Sequence, residues 1–273
     1  MRFFVLALTL ILVMAPAALA QNSSTLRKLQ TGDDNRGWEA VGRLEIGTRK
    51  FCTGALIAPD LVLTAAHCVY DKKKGRTYRA DQMEFLAGWR NGRANARSSV
   101  KRVITHPKFA YDGSDRVVRV AYDVALVQLA KPIRKSSVTP FQTDVRPSKG
   151  DQVGVVSYAH DRAQSPSLQE ACYVLARRSG TLMLSCDVDF GSSGAPIFTI
   201  DPEGTARIVS VISAKADVDG RTVALGTSLQ KPLQDLMELA AVDAVPVTTT
   251  TAKVRVLDIE AGRLGGGAKF VRP

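Results

Sequence analysis

The chain has 273 residues, of which 45% are apolar, and Gly, Pro and charge stay below the levels of a disordered protein, so an ordered core is required. This length suits one large all-β domain or two modest ones. The formal charge of +11 is carried by Lys72-Lys73-Lys74, residues 90–102 and Arg177-Arg178, but without a nucleic-acid-binding motif; it reads as a solvated surface, with acidic cell-envelope polymers as the functional alternative and no specific nucleic-acid partner.

Residues 1–20 read as a cleaved secretory signal. Arg2 precedes an apolar run over 3–15, and Ala18-Leu19-Ala20 has the small-x-small form that signal peptidase cuts. The run is short for a membrane span, and no later stretch is apolar enough to be one, so no transmembrane anchor is expected. Residues 21–37 are polar and read as a mobile leader. Strands are predicted at 38–47, 51–57, 61–64, 84–87, 99–105, 124–129, 153–158, 171–176, 181–185, 195–200, 206–213 and 222–227. Gly, Pro, Asp, Asn or Ser clusters separate them. Many short strands at this spacing predict a sandwich or barrel rather than a βαβ sheet, with two halves divided near 140–150. One helix is predicted late in the chain: Ser228 as cap, Pro232 in the first turn, and Leu229, Leu233, Leu236 and Ala240 on one face. Residues 246–273 read as a flexible Thr/Gly-rich tail.

The four cysteines allow three pairings, and export favours bridges over free thiols. Their separations suggest two local loops, Cys52 to Cys68 and Cys172 to Cys186. No Cys-x-x-Cys or His-x-x-x-His spacing is present, so no metal and no cofactor are expected.

The chemistry centres on Phe190-Gly191-Ser192-Ser193-Gly194-Ala195-Pro196. Glycines flanking a serine allow a sharp turn that exposes a hydroxyl and aims backbone N–H groups at a developing negative charge. Upstream stand His67, in Leu63-Thr64-Ala65-Ala66-His67-Cys68, and Asp123, in Tyr122-Asp123-Val124-Ala125-Leu126-Val127. A serine hydroxyl needs a base, a histidine near its ordinary pKa can act as one, and a buried carboxylate fixes the imidazole tautomer. Histidine, aspartate, serine is one of the known triad orders. The N–H groups of Gly191 and Ser193 form the expected oxyanion hole.

Cys52-Thr53-Gly54-Ala55-Leu56-Ile57 followed by Val62-Leu63-Thr64-Ala65-Ala66-His67-Cys68 resembles the histidine block of chymotrypsin/trypsin-like serine peptidases. Ile104-Thr105-His106-Pro107 resembles the segment before that family's aspartate, residues 122–129 its aspartate block, and residues 191–196 its serine block; the similarity runs over about 38–242. The resemblance implies paired six-stranded Greek-key β-barrels with the active site between them, and a C-terminal helix. It carries the roles over as His67 base, Asp123 orienter and Ser193 nucleophile. Asp112 and Asp115 compete with Asp123 but lie in a polar Gly/Ser loop; Ser192 competes with Ser193, but Gly-x-Ser-Gly places the nucleophile second. His106 and His160 read as structural.

The sequence departs from the animal digestive enzymes at Ser192, where they have an aspartate that pairs with a new N-terminus on activation. It is closer to the bacterial exported branch that includes glutamyl endopeptidases. Asp187, six residues before Ser193, stands where trypsin-like enzymes bind Arg or Lys, and Ser213 joins it as a substrate-binding candidate. Lys215, where those enzymes have a glycine, is placed to block the pocket entrance or neutralise Asp187. The reading is a secreted or periplasmic serine endopeptidase acting on polypeptides, with cleavage after Arg or Lys as its specificity. The alternative is a catalytically silent binding protein of the cell envelope.

Overall fold

The structure is a computed structural model and describes residues 23–112, 115–144 and 147–242. The predicted signal and tail lie outside the described residues.

Short runs form a first set of strands: β1 (Val41–Ile46), β2 (Lys50–Ala58), β3 (Leu61–Thr64), β4 (Met83–Ala87), β5 (Ala96–Thr105) and β6 (Ala125–Leu129). Burial alternates in β5 and extends through most of β2, β3 and β6. They close into a barrel in the order β1-β2-β3-β6-β5-β4. A second set follows: β7 (Gln152–Ser157), β8 (Ser167–Arg178), β9 (Thr181–Leu184), β10 (Pro196–Ile200), β11 (Ala206–Val218) and β12 (Arg221–Ser228). These also close, as β7-β8-β9-β12-β11-β10, which repeats the strand order of the first barrel. The molecule is thus the expected pair of six-stranded antiparallel barrels.

Side-chain alternation decides which residues fill the second barrel and which face the first, because neighbours along a strand point to opposite faces. Val153 and Val155 of β7, Ile197 of β10 and Val209 of β11 are buried inside the barrel. Val156, Phe198 and Ile208, from the same strands, join the core of the first barrel instead. Phe198 meets Trp38 and Phe141 at ring centroid distances of 5.0 and 4.7 Å, an aromatic seam between the barrels.

Helix α1 (Arg116–Ala121) directly follows the polar stretch that holds Asp112 and Asp115 and is not among the predicted elements. Asp115 caps it, its carboxylate accepting from the N–H groups of Val117 and Val118 at 2.8 and 3.1 Å; that use explains why Asp115 is not the orienting aspartate. Helix α2 (Gln230–Val242) leaves the second barrel and buries Leu233, Leu236 and Ala240 in the core of the first. His106 Nε2 meets Asp235 of α2 at 3.2 Å, and Arg102 donates to the carbonyl of Ala240 at 2.9 Å. No helix among the described residues is long and apolar enough to cross a membrane.

The leader reading requires correction: residues 23–37 pack on the protein. Arg27 and Lys28 pair antiparallel with Leu168 and Ser167 of β8. Leu29 is fully buried, as is Asn35. One fully buried leucine, with Leu26 half-buried, suffices as an anchor because the exposed edge of β8 supplies backbone partners.

Candidate active site

His67 sits in a single 3-10 turn, Ala66–Cys68, directly after β3. The bridge from Cys68 to Cys52 ties that turn to β2, and the second bridge joins Cys172 to Cys186, so both predicted loops are closed. Lys50 adds a hold that the sequence did not suggest. Its ammonium donates to the carbonyls of His67 and Cys68 at 3.3 and 2.9 Å, and burial pushes its pKa below the ordinary lysine value.

Asp123 lies at the entry to β6 and is 3% exposed. Its carboxylate accepts from His67 Nδ1 at 2.6 Å and from the His67 backbone N–H at 2.8 Å. Ser213 Oγ donates to the same carboxylate. The carbonyl of Asp123 is held in turn by Thr227 Oγ1 at 3.2 Å. A carboxylate on Nδ1 leaves Nε2 as the nitrogen free to exchange a proton.

The nucleophile turn is shaped by two glycines. Gly191 has φ +98° and Gly194 φ +77°. A Cβ on Gly191 would come within 2.8 Å of the Phe51 ring, and one on Gly194 within 2.1 Å of Thr64 Oγ1, so both close approach and positive φ exclude a side chain. Thr53 fastens the turn across the barrels: its N–H donates to the Ser193 carbonyl at 2.9 Å and its hydroxyl to the Gly191 carbonyl at 2.9 Å. Among the described residues, the N–H groups of Gly191 and Ser193 donate to no protein acceptor.

His67, Ser193 and Ser213 line one cavity of about 520 Å³ together with Gly191, Asp189 and Lys215. The structure therefore gathers the predicted triad and oxyanion residues at one cleft. It records no hydrogen bond between His67 Nε2 and Ser193 Oγ; the polar neighbour of Nε2 is Cys68 Sγ at 3.9 Å. His67, Cys52 and Cys68 cluster tightly enough to suggest a metal site, but the two sulfurs are bonded to each other and present no thiolate.

Asp187 is the predicted site residue that the cleft does not take in. It is exposed, lines no part of the cavity, and its N–H donates to Gln169 Oε1 at 2.8 Å. Asp189, two residues on, lines the cavity instead and meets Lys215 at 3.0 Å. The hydrogen bond from Lys215, then that from the Phe190 N–H, holds the Asp189 carboxyl below the usual range. Lys215 thus pairs with Asp189 and not with Asp187. Ser213, read as a substrate contact, lines the cavity and also orients Asp123. His160, read as structural, is an exposed lining residue with its ring 5.3 Å from that of Phe51. His106 matches its structural reading: it is buried, bonds Asp235, and accepts the Lys108 N–H on Nδ1 at 3.1 Å.

The family profile described as Trypsin matches residues 30–226. "Serine protease 23" of Bos taurus is 31% identical over 167 residues, covering 54% of this chain and 43% of its own length. "Glutamyl endopeptidase" of Bacillus licheniformis is 28% identical over 149 residues, covering 54% and 45%. The chain therefore spans less than half the length of these relatives. A solved structure of a Glu endopeptidase covers 80% of this chain and 97% of its own at a TM-score of 0.65 and 18% identity, a likeness of fold.

Proposed function

The chain belongs to the Trypsin family, and from that premise we propose that it is a serine endopeptidase that cleaves polypeptides through an acyl-enzyme. The observation that carries the proposal is the Asp123 carboxylate, which grips both Nδ1 and the backbone N–H of His67 beside a glycine-flanked Ser193. Ser193 Oγ attacks the scissile carbonyl while His67 Nε2 takes its proton, and Asp123 stabilises the imidazolium that forms. The resulting oxyanion is met by the N–H groups of Gly191 and Ser193, a donor of this kind being worth about 2.7–4 kcal/mol. Collapse expels the amine, which takes the proton back from His67; water then repeats the sequence on the ester. The contact between Nε2 and Ser193 Oγ forms with substrate in place, since catalytic hydrogen bonds are often long in free enzymes.

Cleavage after Arg or Lys loses its support, because Asp187 is outside the cleft and Asp189 is engaged by Lys215. The lining carries Lys215 and His160 against that single carboxylate, which favours an acidic substrate side chain before the cleaved bond. An ammonium has three donors, so Lys215 can serve both Asp189 and a substrate carboxylate. The named activity of the Bacillus relative agrees with this reading. Two disulfides suit an oxidising compartment, so we place the protein outside the cytoplasm. The silent-binder alternative has no missing catalytic residue to favour it.

Cleavage-site mapping on a diverse peptide mixture, beside a Ser193→Ala control, tests the proposal. Cuts after Asp and Glu that vanish in the control are expected. Cuts after Arg or Lys would overturn the specificity reading, and cuts that survive in the control would overturn the mechanism.

A further inference from the structure

Ser192, the residue just before the nucleophile, is fully buried and is a hub beneath the oxyanion turn. Its single hydroxyl proton has two acceptors to choose between, Ser157 Oγ at 3.3 Å and the Tyr158 carbonyl at 3.2 Å, and its oxygen accepts from the Asp189 N–H at 3.4 Å. Its fourth neighbour is a cation. Arg162 Nη2 reaches Ser192 Oγ at 3.4 Å, although Arg162 is only 8% exposed. Arg162 Nη1 meets Asp161 at 3.1 Å, while Nε is buried without a partner. Arginine is rarely buried, and a buried guanidinium with an unmatched donor is retained against a desolvation cost. The backbone shows what it faces: Ser192 N–H donates to the Asp189 carbonyl and Ala195 N–H to the Ser192 carbonyl, both at 2.9 Å, bonds that close the turn bearing Gly191 and Ser193.

We propose that Arg162 is a positioning residue for the reaction, a buried cation that acts through Ser192 to hold the oxyanion turn with its N–H groups facing the cleft. The brace comes from within the described chain. The effect on catalysis rests on the peptidase reading above; the hold on the turn does not.

The test compares wild type with Arg162→Met, which removes the charge but keeps most of the volume, and Arg162→Lys, which keeps a cation. Ser192→Ala removes only the hydroxyl and probes the same link with little demand on the core. Three readouts are taken: kcat and KM on a peptide with a Ser193-dependent cut; binding of a peptide aldehyde, which forms an oxyanion on Ser193, against binding of the product peptide; and amide hydrogen exchange of Ser192 and Ala195. For Arg162→Met, kcat and aldehyde affinity are expected to fall about tenfold or more, with KM and product binding within about twofold. Arg162→Lys is expected to lose less, and Ser192→Ala to follow Arg162→Met. Exchange at Ser192 and Ala195 is expected to quicken about tenfold while barrel amides such as Val155 do not change. Unchanged kcat and aldehyde affinity, or equal losses of aldehyde and product binding, would overturn the catalytic role. Unchanged exchange at both amides would overturn the brace itself. The exchange arm needs no turnover, so it decides the brace even if the peptidase reading fails.

Discussion

At the His67 corner of the cleft, a nearly buried carboxylate accepts hydrogen bonds from the His67 ring, the His67 backbone and Ser213. At the Ser193 corner the holds are of another kind: two glycines at positive φ, one backbone and one hydroxyl bond from Thr53, and a buried serine whose side-chain contacts are all 3.2–3.4 Å. The first corner is fixed by charge-assisted bonds in a low-dielectric setting, where each counts for more. The second is fixed by backbone shape, which no single side-chain bond dominates. The difference suits the two tasks. A base must keep one tautomer through a full proton cycle, whereas an oxyanion hole must present donors that nothing else occupies.

The sharpest way to break the first corner is Asp123→Asn, which keeps the shape of the side chain and removes its charge. A fall in kcat of about 10⁴ is expected, from the wrong imidazole tautomer, with peptide binding retained; kcat and KM on one peptide check it. The second corner breaks through its backbone. Gly191→Ala must put a methyl within 2.8 Å of Phe51 at φ +98°, and a loss of about 10²–10³ in kcat is expected as an oxyanion donor turns away. The same substitution is expected to weaken a peptide aldehyde far more than the product peptide. Ser213→Ala takes one neutral donor from Asp123, with a smaller loss expected, about tenfold in kcat, because the two His67 contacts survive. If it matched Asp123→Asn, Ser213 would be as central to that corner as the charge itself.

The smallest expected effect concerns pH and stability rather than chemistry. Burial, the largest cause, keeps the pKa of His106 below the ordinary histidine value despite Asp235. The unfolded chain therefore binds a proton there more readily than the folded one. The contribution of this group is full above about pH 6.5 and is lost as pH falls from there through the lowered folded pKa. His106→Gln is expected to flatten the dependence of the unfolding midpoint on pH between about 7 and 5, with little change in kcat at pH 8.

Much of this architecture was legible in the order of residues, for identifiable reasons. Apolar runs bounded by Gly, Pro, Asp, Asn and Ser marked the barrel strands, and alternation within them marked a buried face. The proposed triad residues could be picked out because His67 and Asp123 each border a buried strand and Ser193 sits between glycines. What escaped was set by contacts distant in sequence. The anchoring role of Leu29 gave no local signal because the edge of β8 that receives it lies about 140 positions away. Asp187 and Asp189 are the same residue type two positions apart; the path of the backbone, tied by Gln169, turns only the second toward the cavity. Helix α1 is a single capped turn and a half, too short for a periodic signal even with Val117, Val118 and Val120 in it.

The proposed chemistry of the cleft turns on whether Ser193 is a nucleophile activated by His67. Incubation with an organophosphonate ester probe, followed by intact-protein and peptide mass measurement, addresses that without choosing a substrate. The expected result is one adduct on the peptide that contains Ser193, absent in Ser193→Ala and strongly slowed in His67→Ala. An adduct that persists in Ser193→Ala, or none on the wild-type chain, would contradict it.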